Sequence, residues 1–304
     1  MERLRESLKK VDESRIALIG TGLMGSPMAE RILAAGYPLV VFNRTRAKAE
    51  PLVSLGAEIA ESGDRAIDSA GCVILMLTDA TAIREVLFQQ SKSAHLIDRT
   101  VIQMGTISPE ESIELAREVV QRGGDYLEAP VLGSTPEAST GNLLVMVGGS
   151  EEHFERWSGL LRCFGPEPVL VGEVGKASAL KLALNQLIAS LTAGFALSLG
   201  FVKRHGIEVD LFMEILRQSA LYAATFDKKL KRMLHRDYAN PNFPVKHLVK
   251  DLELFRSEAQ AVNLELSTIQ GILRLLKLGL EKGFADFDYS ALFEAACPAG
   301  NKHN

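Results

Sequence analysis

Apolar positions follow two different patterns along this chain, and the change falls near residue 173. From Arg15 to Val171, short β-branched runs (RIALIG, PLVVFNR, CVILMLT, HLIDRTVIQM, LLVMVGG, EPVLVG) alternate with stretches that read as helices (SPMAERILAAG, DATAIREVLF, SPEESIELAREVVQRG, SEEHFERWSGLLRCFG). Strand and helix in alternation predict βαβ units on a mainly parallel sheet with helices on both faces. The punctuation agrees: Ser108-Pro109 is placed as N-cap and first helical residue, while Gly36 and Gly123 follow helices as C-caps. After Gly175 the strand signal vanishes. Residues 176–204, 208–236, 245–262 and 265–283 read as helices, with turns at His205-Gly206 and at Asn240-Pro241-Asn242-Phe243-Pro244.

Length and charge narrow the picture further. The 304 residues are too many for one compact core and suit two domains. Basic and acidic residues, 34 and 38, leave a net charge of −4, and no basic run reaches five residues, so a nucleic-acid partner is not expected. Cys72, Cys163 and Cys297 are odd in number and dispersed, which fits a reducing cytoplasm rather than a disulfide framework. No histidine stands two to four residues from another histidine or a cysteine, so no metal is expected. The opening MERLRESLKKVDESR mixes acids among its bases, unlike a transit peptide, and lacks the apolar core of a signal peptide.

Residues 182–202 carry no charge for 21 positions, long enough to span a bilayer. Asn185, Gln186, Ser190, Thr192 and Ser198 interrupt the run, and a helix buried all round inside a protein reads the same way. A protein-buried helix is therefore expected, with no membrane partner. A helix this apolar also predicts a homodimer or homotetramer assembled through the helical part.

Gly20-Thr21-Gly22-Leu23-Met24-Gly25 is a G-x-G-x-x-G placed directly between the strand RIALI and the helix SPMAERILAAG. That context predicts a dinucleotide site. Gly20 serves the tight turn, Gly22 the approach of a pyrophosphate, and Gly25 the close packing of helix on strand, with the helix N-terminus facing the phosphates. The fold class is accordingly an α/β Rossmann-type dinucleotide-binding domain followed by an all-α domain built on a long interdomain helix. The expected boundaries are an N-terminal arm over 1–14, the NADP-binding domain over 15–173, and an all-helical substrate and dimerisation domain over 174–304. The second strand ends at Asn43-Arg44-Thr45. An acidic residue here would accept from the ribose 2′-OH of NAD. A neutral Asn43 and a cationic Arg44 instead favour NADP(H) over NAD(H), because a guanidinium holds a 2′-phosphate bidentately.

One ionisable side chain, Lys181, lies between Lys176 and Lys203. It either snorkels to solvent or acts as a general acid or base in a cleft, where partial burial moves a lysine toward neutrality. Asn185 follows one turn later on the same face and is placed to orient the ammonium or the substrate. The nucleotide loop and Lys181 lie in different expected domains, which points to the cleft between them as the active site.

Four motifs, IALIGTGLMGSPMAERI, EAPVLGSTPEASTGNLLVMVGG at 128–149, GEVGKASALKLALNQL at 172–187 and KHLVKDLEL at 246–254, together resemble the β-hydroxyacid dehydrogenase family. The resemblance spans nearly all of residues 15–290 and implies that Lys181 is the catalytic acid/base and that Asn185 binds substrate. It also implies cofactor contacts at Gly20, Gly22, Leu23, Met24, Gly25, Asn43, Arg44, Thr45, Leu77, Thr78, Thr106 and Lys250. The family commonly reads APVSGG where a substrate carboxylate is bound. This chain has Ala129-Pro130-Val131-Leu132-Gly133-Ser134, so Leu132, Gly133 and Ser134 are the expected substrate residues with one hydroxyl donor removed. The usual DxSTxxP segment stands here as Gln103-Met104-Gly105-Thr106-Ile107-Ser108-Pro109. Gly133-Ser134 and Asn43-Arg44-Thr45 resemble the glyoxylate/succinic semialdehyde reductase branch. The implied activity is NADPH-dependent reduction of small aldehyde or keto acids. Its alternatives are an oxidative 3-hydroxyisobutyrate-type dehydrogenase and a non-catalytic dinucleotide-binding module.

Overall fold

The computed structural model describes residues 14–89 and 96–298, so the expected N-terminal arm lies outside the described residues apart from Ser14. Among the described residues, nine strands form the sheet: β1 (Ile16–Ile19), β2 (Leu39–Phe42), β3 (Glu58–Ile59), β4 (Cys72–Leu75), β5 (Thr100–Gln103), β6 (Asp125–Glu128), β7 (Val131–Leu132), β8 (Leu144–Gly148) and β9 (Val169–Gly172). Their order is β3-β2-β1-β4-β5-β6-β8-β7, with β9 paired to β8. The first six strands are parallel, while β8 runs antiparallel to β6 and β7 antiparallel to β8. That run of six has the 3-2-1-4-5-6 order of a doubly wound dinucleotide-binding sheet, whose ligand crevice opens at the carboxyl ends where the order reverses.

β1, β4 and β5 are buried at every position, as parallel strands covered on both faces must be. One face packs Met28 and Ile32 from helix Gly25–Ala34 and Trp157, Leu160 and Leu161 from helix Glu151–Leu161. The other packs Ile67, Ile83, Leu115 and Val119. Helix Pro109–Gln121 starts as expected: Ser108 and Glu111 form a reciprocal capping box, with Pro109 in the first turn. Gly36 and Gly123 follow their helices with φ of 84° and 82°.

The chain divides into two compact units, one ending at Lys181 and the other beginning at Leu182, within helix Lys176–Arg204. The second unit is helical. Ala189, Ala193, Phe195, Ala196 and Leu199 of the long helix meet Met213, Phe226, Leu248, Leu252, Leu273, Leu276 and Phe293 in one core. A buried ion pair, Lys229 Nζ 2.9 Å from both Asp288 carboxylate oxygens, ties helix Ala224–His235 to the turn at Tyr289. Burial pushes the Lys229 ammonium below the ordinary lysine range, opposed by Asp288.

Three local expectations need correction. The helix expected over 208–236 is two, Val209–Gln218 and Ala224–His235. Ser219 breaks it: extended at φ −95°, ψ 160°, its hydroxyl donates to Leu216 O and accepts from Leu221 N, a local alternative to the helical ladder. The segment DATAIREVLF is α-helical only over Ala80–Arg84, then widens to a π-turn over Glu85–Gln89. The long helix, expected to be buried all round, is buried on one side only: Leu187, Leu191, Leu197 and Phe201 are exposed. It remains the one described helix long and apolar enough to cross a membrane, with 44% of its most apolar window buried.

Candidate active site

In the first unit, parallel register brings the carboxyl ends of four strands level. Gly20 N donates to Phe42 O and Met76 N to Ile19 O, each at 2.9 Å, and Met104 N donates to Leu75 O at 2.9 Å. The loops after β1, β2, β4 and β5 thus emerge side by side, and they carry residues 20–25, 43–45, 77–78 and 106. Gly20 sits at φ +102°, where a Cβ would also lie 2.3 Å from Met76 O. A Cβ on Gly25 would lie 1.8 Å from Gly20 O, so this glycine closes the loop on itself more than it packs helix on strand. A Cβ on Gly22 would meet nothing within 4 Å. The turn therefore leaves open space in front of backbone N–H groups at the start of a ten-residue helix, the cradle a pyrophosphate needs. The residues present fit a dinucleotide. Gly105 completes the group, since its backbone approaches so closely that a Cβ would stand 2.4 Å from Leu77 O, which holds Thr106 beside the 77–78 loop.

Asn43 has both ends of its amide engaged. Its Oδ1 accepts from Thr21 N at 3.1 Å, and its Nδ2 donates to Thr45 O at 2.9 Å. It clamps the glycine loop to the turn after β2, and the adjacent Arg44 is exposed. Leu132 ends β7, and Gly133-Ser134 leads into helix Thr135–Thr140. Here the donors expected to hold a substrate carboxylate are engaged within the chain: Ser134 N and Ser134 Oγ both donate to Glu137 Oε2, at 2.8 and 2.7 Å.

Lys181 is only 8% exposed. It stands in the second turn of helix Lys176–Arg204, and the start of that helix is held by a residue that sequence reasoning missed. Glu128, fully buried at the end of β6, accepts through Oε1 from Gly175 N, Ala177 N and Ser178 N, at 2.8, 2.8 and 3.2 Å. Its Oε2 accepts from Ser112 Oγ at 2.5 Å and Ser178 Oγ at 2.6 Å. A carboxylate at the positive end of a helix axis, bonded to its free N–H groups, is a strong anchor. The one hint in the sequence was an acid closing the otherwise apolar strand segment YLEAP.

In the second unit, Asn185 and Lys250 are joined through a second missed residue, Asp251 of helix Val245–Ala261. Asn185 Nδ2 donates to Asp251 Oδ2 at 2.7 Å, and Lys250 Nζ lies 2.9 Å from Asp251 Oδ1. His247 is close by; burial, then Lys246 and Lys250, push its imidazole below the ordinary histidine value.

Comparison with known proteins identifies the family. Residues 15–172 match the family model of the NAD binding domain of 6-phosphogluconate dehydrogenase. Residues 175–296 match the model described as NAD-binding of NADP-dependent 3-hydroxyisobutyrate dehydrogenase. The chain is 33% identical to 2-hydroxy-3-oxopropionate reductase of Escherichia coli, over 92% of this chain and 96% of that protein. It is 30% identical to the chloroplastic glyoxylate/succinic semialdehyde reductase 2 of Arabidopsis thaliana, over 92% and 78%. A solved 3-hydroxyisobutyrate dehydrogenase from Salmonella typhimurium shares the fold, with a TM-score of 0.84 at 24% identity over 93% of this chain and 99% of that one.

Proposed function

Because this chain belongs to the β-hydroxyacid dehydrogenase family, oxidoreductases acting on CH–OH groups and binding a pyridine dinucleotide, we propose that it is an NADPH-dependent reductase of small aldehyde or keto acids such as glyoxylate and succinic semialdehyde. The observation that carries the reading is Lys181, a buried lysine at an anchored helix start in a chain that also builds a dinucleotide cradle. When bound, the nicotinamide supplies the hydride. The loops at 20–25, 43–45, 77–78 and 106, with Lys250, would hold the dinucleotide. Lys181 as ammonium protonates the substrate oxygen in reduction and takes that proton back in oxidation. Leu132, Gly133, Ser134 and Asn185 bind the substrate, whose carboxylate competes with Glu137 for the Ser134 donors. NADPH consumption with glyoxylate and with succinic semialdehyde tests the reading. Tight NADPH binding without turnover of any aldehyde acid would mark a silent dinucleotide-binding module instead.

Arg44 supports NADP(H) over NAD(H): it is exposed, and among the described residues no carboxylate pairs with it. Arg44→Asp is expected to lower the NADPH:NADH ratio of kcat/KM by roughly 10- to 100-fold, as the 2′-phosphate loses a charged partner and meets repulsion. A wild-type preference for NADH would remove this assignment. The three cysteines, all free and buried, suit a cytoplasmic protein.

The homo-oligomer reading is supported by the exposed side of the long helix. Leu187, Leu191, Gly194, Ser198 and Phe201 recur there at alternating four- and three-residue spacing, with two small residues at the centre of the stripe. The double variant Leu187→Glu/Leu191→Glu is expected to be monomeric by light scattering where the wild type is a dimer or tetramer. A monomeric wild type would end this reading.

A further inference from the structure

The Asn185–Asp251 pair has a polarity. Asn185 is 1% exposed and Asp251 2%. An ionised carboxylate can only accept, so the amide group facing Asp251 Oδ2 at 2.7 Å must be Nδ2. Turning the amide over would set two acceptor oxygens against each other at that distance. The Lys250 ammonium, 2.9 Å from Asp251 Oδ1, gives the buried carboxylate its countercharge. His247 and Lys246 are the other titratable groups with an electrostatic hold on this corner, and Asp286 is the further acid near His247. Asn185 Oδ1 is left buried with no hydrogen-bond partner among the described residues. A buried acceptor without a donor is costly, and it is satisfied when a ligand brings the donor.

We propose that Asp251 is a positioning residue that locks Asn185 as a hydrogen-bond acceptor, and that the ligand group received there is a donor, a hydroxyl or an ammonium, rather than a carboxylate or carbonyl oxygen. The lock itself follows from the pair's chemistry. Its use on a ligand rests on the reading of Asn185 as a substrate residue. Under that reading, the donor is the hydroxyl of the hydroxy acid that reduction forms, or a hydroxyl or amino group the acid already bears, and the carboxylate is held elsewhere.

Two measurements on the full-length protein separate the parts. The first is the Asn185 side-chain amide resonance in nitrogen–proton spectra, assigned by its loss in Asn185→Ala. Slow exchange with solvent in the wild type, and fast exchange or a displaced resonance in the near-isosteric Asp251→Leu, which offers Asn185 Nδ2 no acceptor, is the expected result. An Asn185 amide that exchanges freely in the wild type overturns the lock, and no variant is needed to see it. The second is calorimetric binding of propionate, 3-hydroxypropionate and glycerate, which differ by one hydroxyl at each step. One step should tighten binding at least about tenfold in the wild type, and by less than about threefold in Asn185→Ala and Asp251→Leu. A locked amide with no hydroxyl discriminated, or with discrimination unchanged in Asp251→Leu, overturns the ligand assignment. Failure of every acid to bind, with the amide locked, overturns it too, and locates the failure in the substrate reading rather than in the lock.

Discussion

Lys181→Ala is expected to lower kcat roughly 10²–10⁴-fold, the usual worth of a positioned general acid, with a much smaller change in KM. The variant should fold. Alanine is the best helix former, and the start of the helix is fastened by Glu128 rather than by Lys181. Dinucleotide affinity should survive as well, because the glycine loop and Arg44 belong to other elements of the sheet unit. Lys181→Arg should not restore turnover: a guanidinium stays protonated across the working range and carries its donors farther out on a planar fork. In the wild type, reduction should require the ammonium form and oxidation the neutral amine, so the pH profiles of the two directions should run oppositely. Steady-state kinetics on the best substrate decide the matter. A variant keeping more than about a third of wild-type kcat would mean that the proton comes from water or another side chain.

The parts of this molecule that could be read in the chain are those governed by local chemistry. The glycine loop and its flanking strand and helix occupy adjacent positions, so their spacing alone placed the dinucleotide cradle. The capping box at Ser108 was half-visible as Ser-Pro, and the structure completes it with Glu111. Lys181 stood out because its neighbours are apolar. Glu128 and Asp251 were hidden for the opposite reason, since each acts on groups far along the chain. Glu128 meets residues 47 to 50 positions later, and Asp251 meets Asn185 66 positions earlier. A carboxylate beside a lysine, as in Lys250-Asp251, reads locally as a solvated pair, and only packing reveals that it is buried. The break at Ser219 was missed because a serine inside an amphipathic pattern costs little until its hydroxyl finds a backbone partner. Glu137 shows the same limit at the substrate motif, where helix-start chemistry takes the donors that the resemblance had assigned to an acid.

Glu128→Ala should strongly destabilise the first unit. It strands three backbone N–H groups and the Ser178 hydroxyl around a fully buried position, while the Ser112 hydroxyl keeps the Tyr126 hydroxyl at 3.0 Å. Each buried donor left without a partner costs about 1–3 kcal/mol, so the three backbone N–H groups alone cost about 3 kcal/mol or more. For a unit of this size that corresponds to a fall in Tm on the order of 10 °C. Glu128→Gln separates charge from hydrogen bonding. Its Oε1 can still accept from Gly175, Ala177 and Ser178, and its Nε2 can donate to the Ser112 and Ser178 hydroxyls, which accept as readily as they donate. Only the interaction of a full charge with the helix end is lost, about 1–2 kcal/mol. The expected order of stability is therefore wild type, then Gln, then Ala. Amide exchange at Ala177 and Ser178 should accelerate in the same order, with kcat falling alongside as the turn that carries Lys181 loosens. Equal damage from Gln and Ala would show that the charge rather than the bonded geometry holds the helix. An alanine variant losing less than about 1 kcal/mol would show that Glu128 is not the anchor at all.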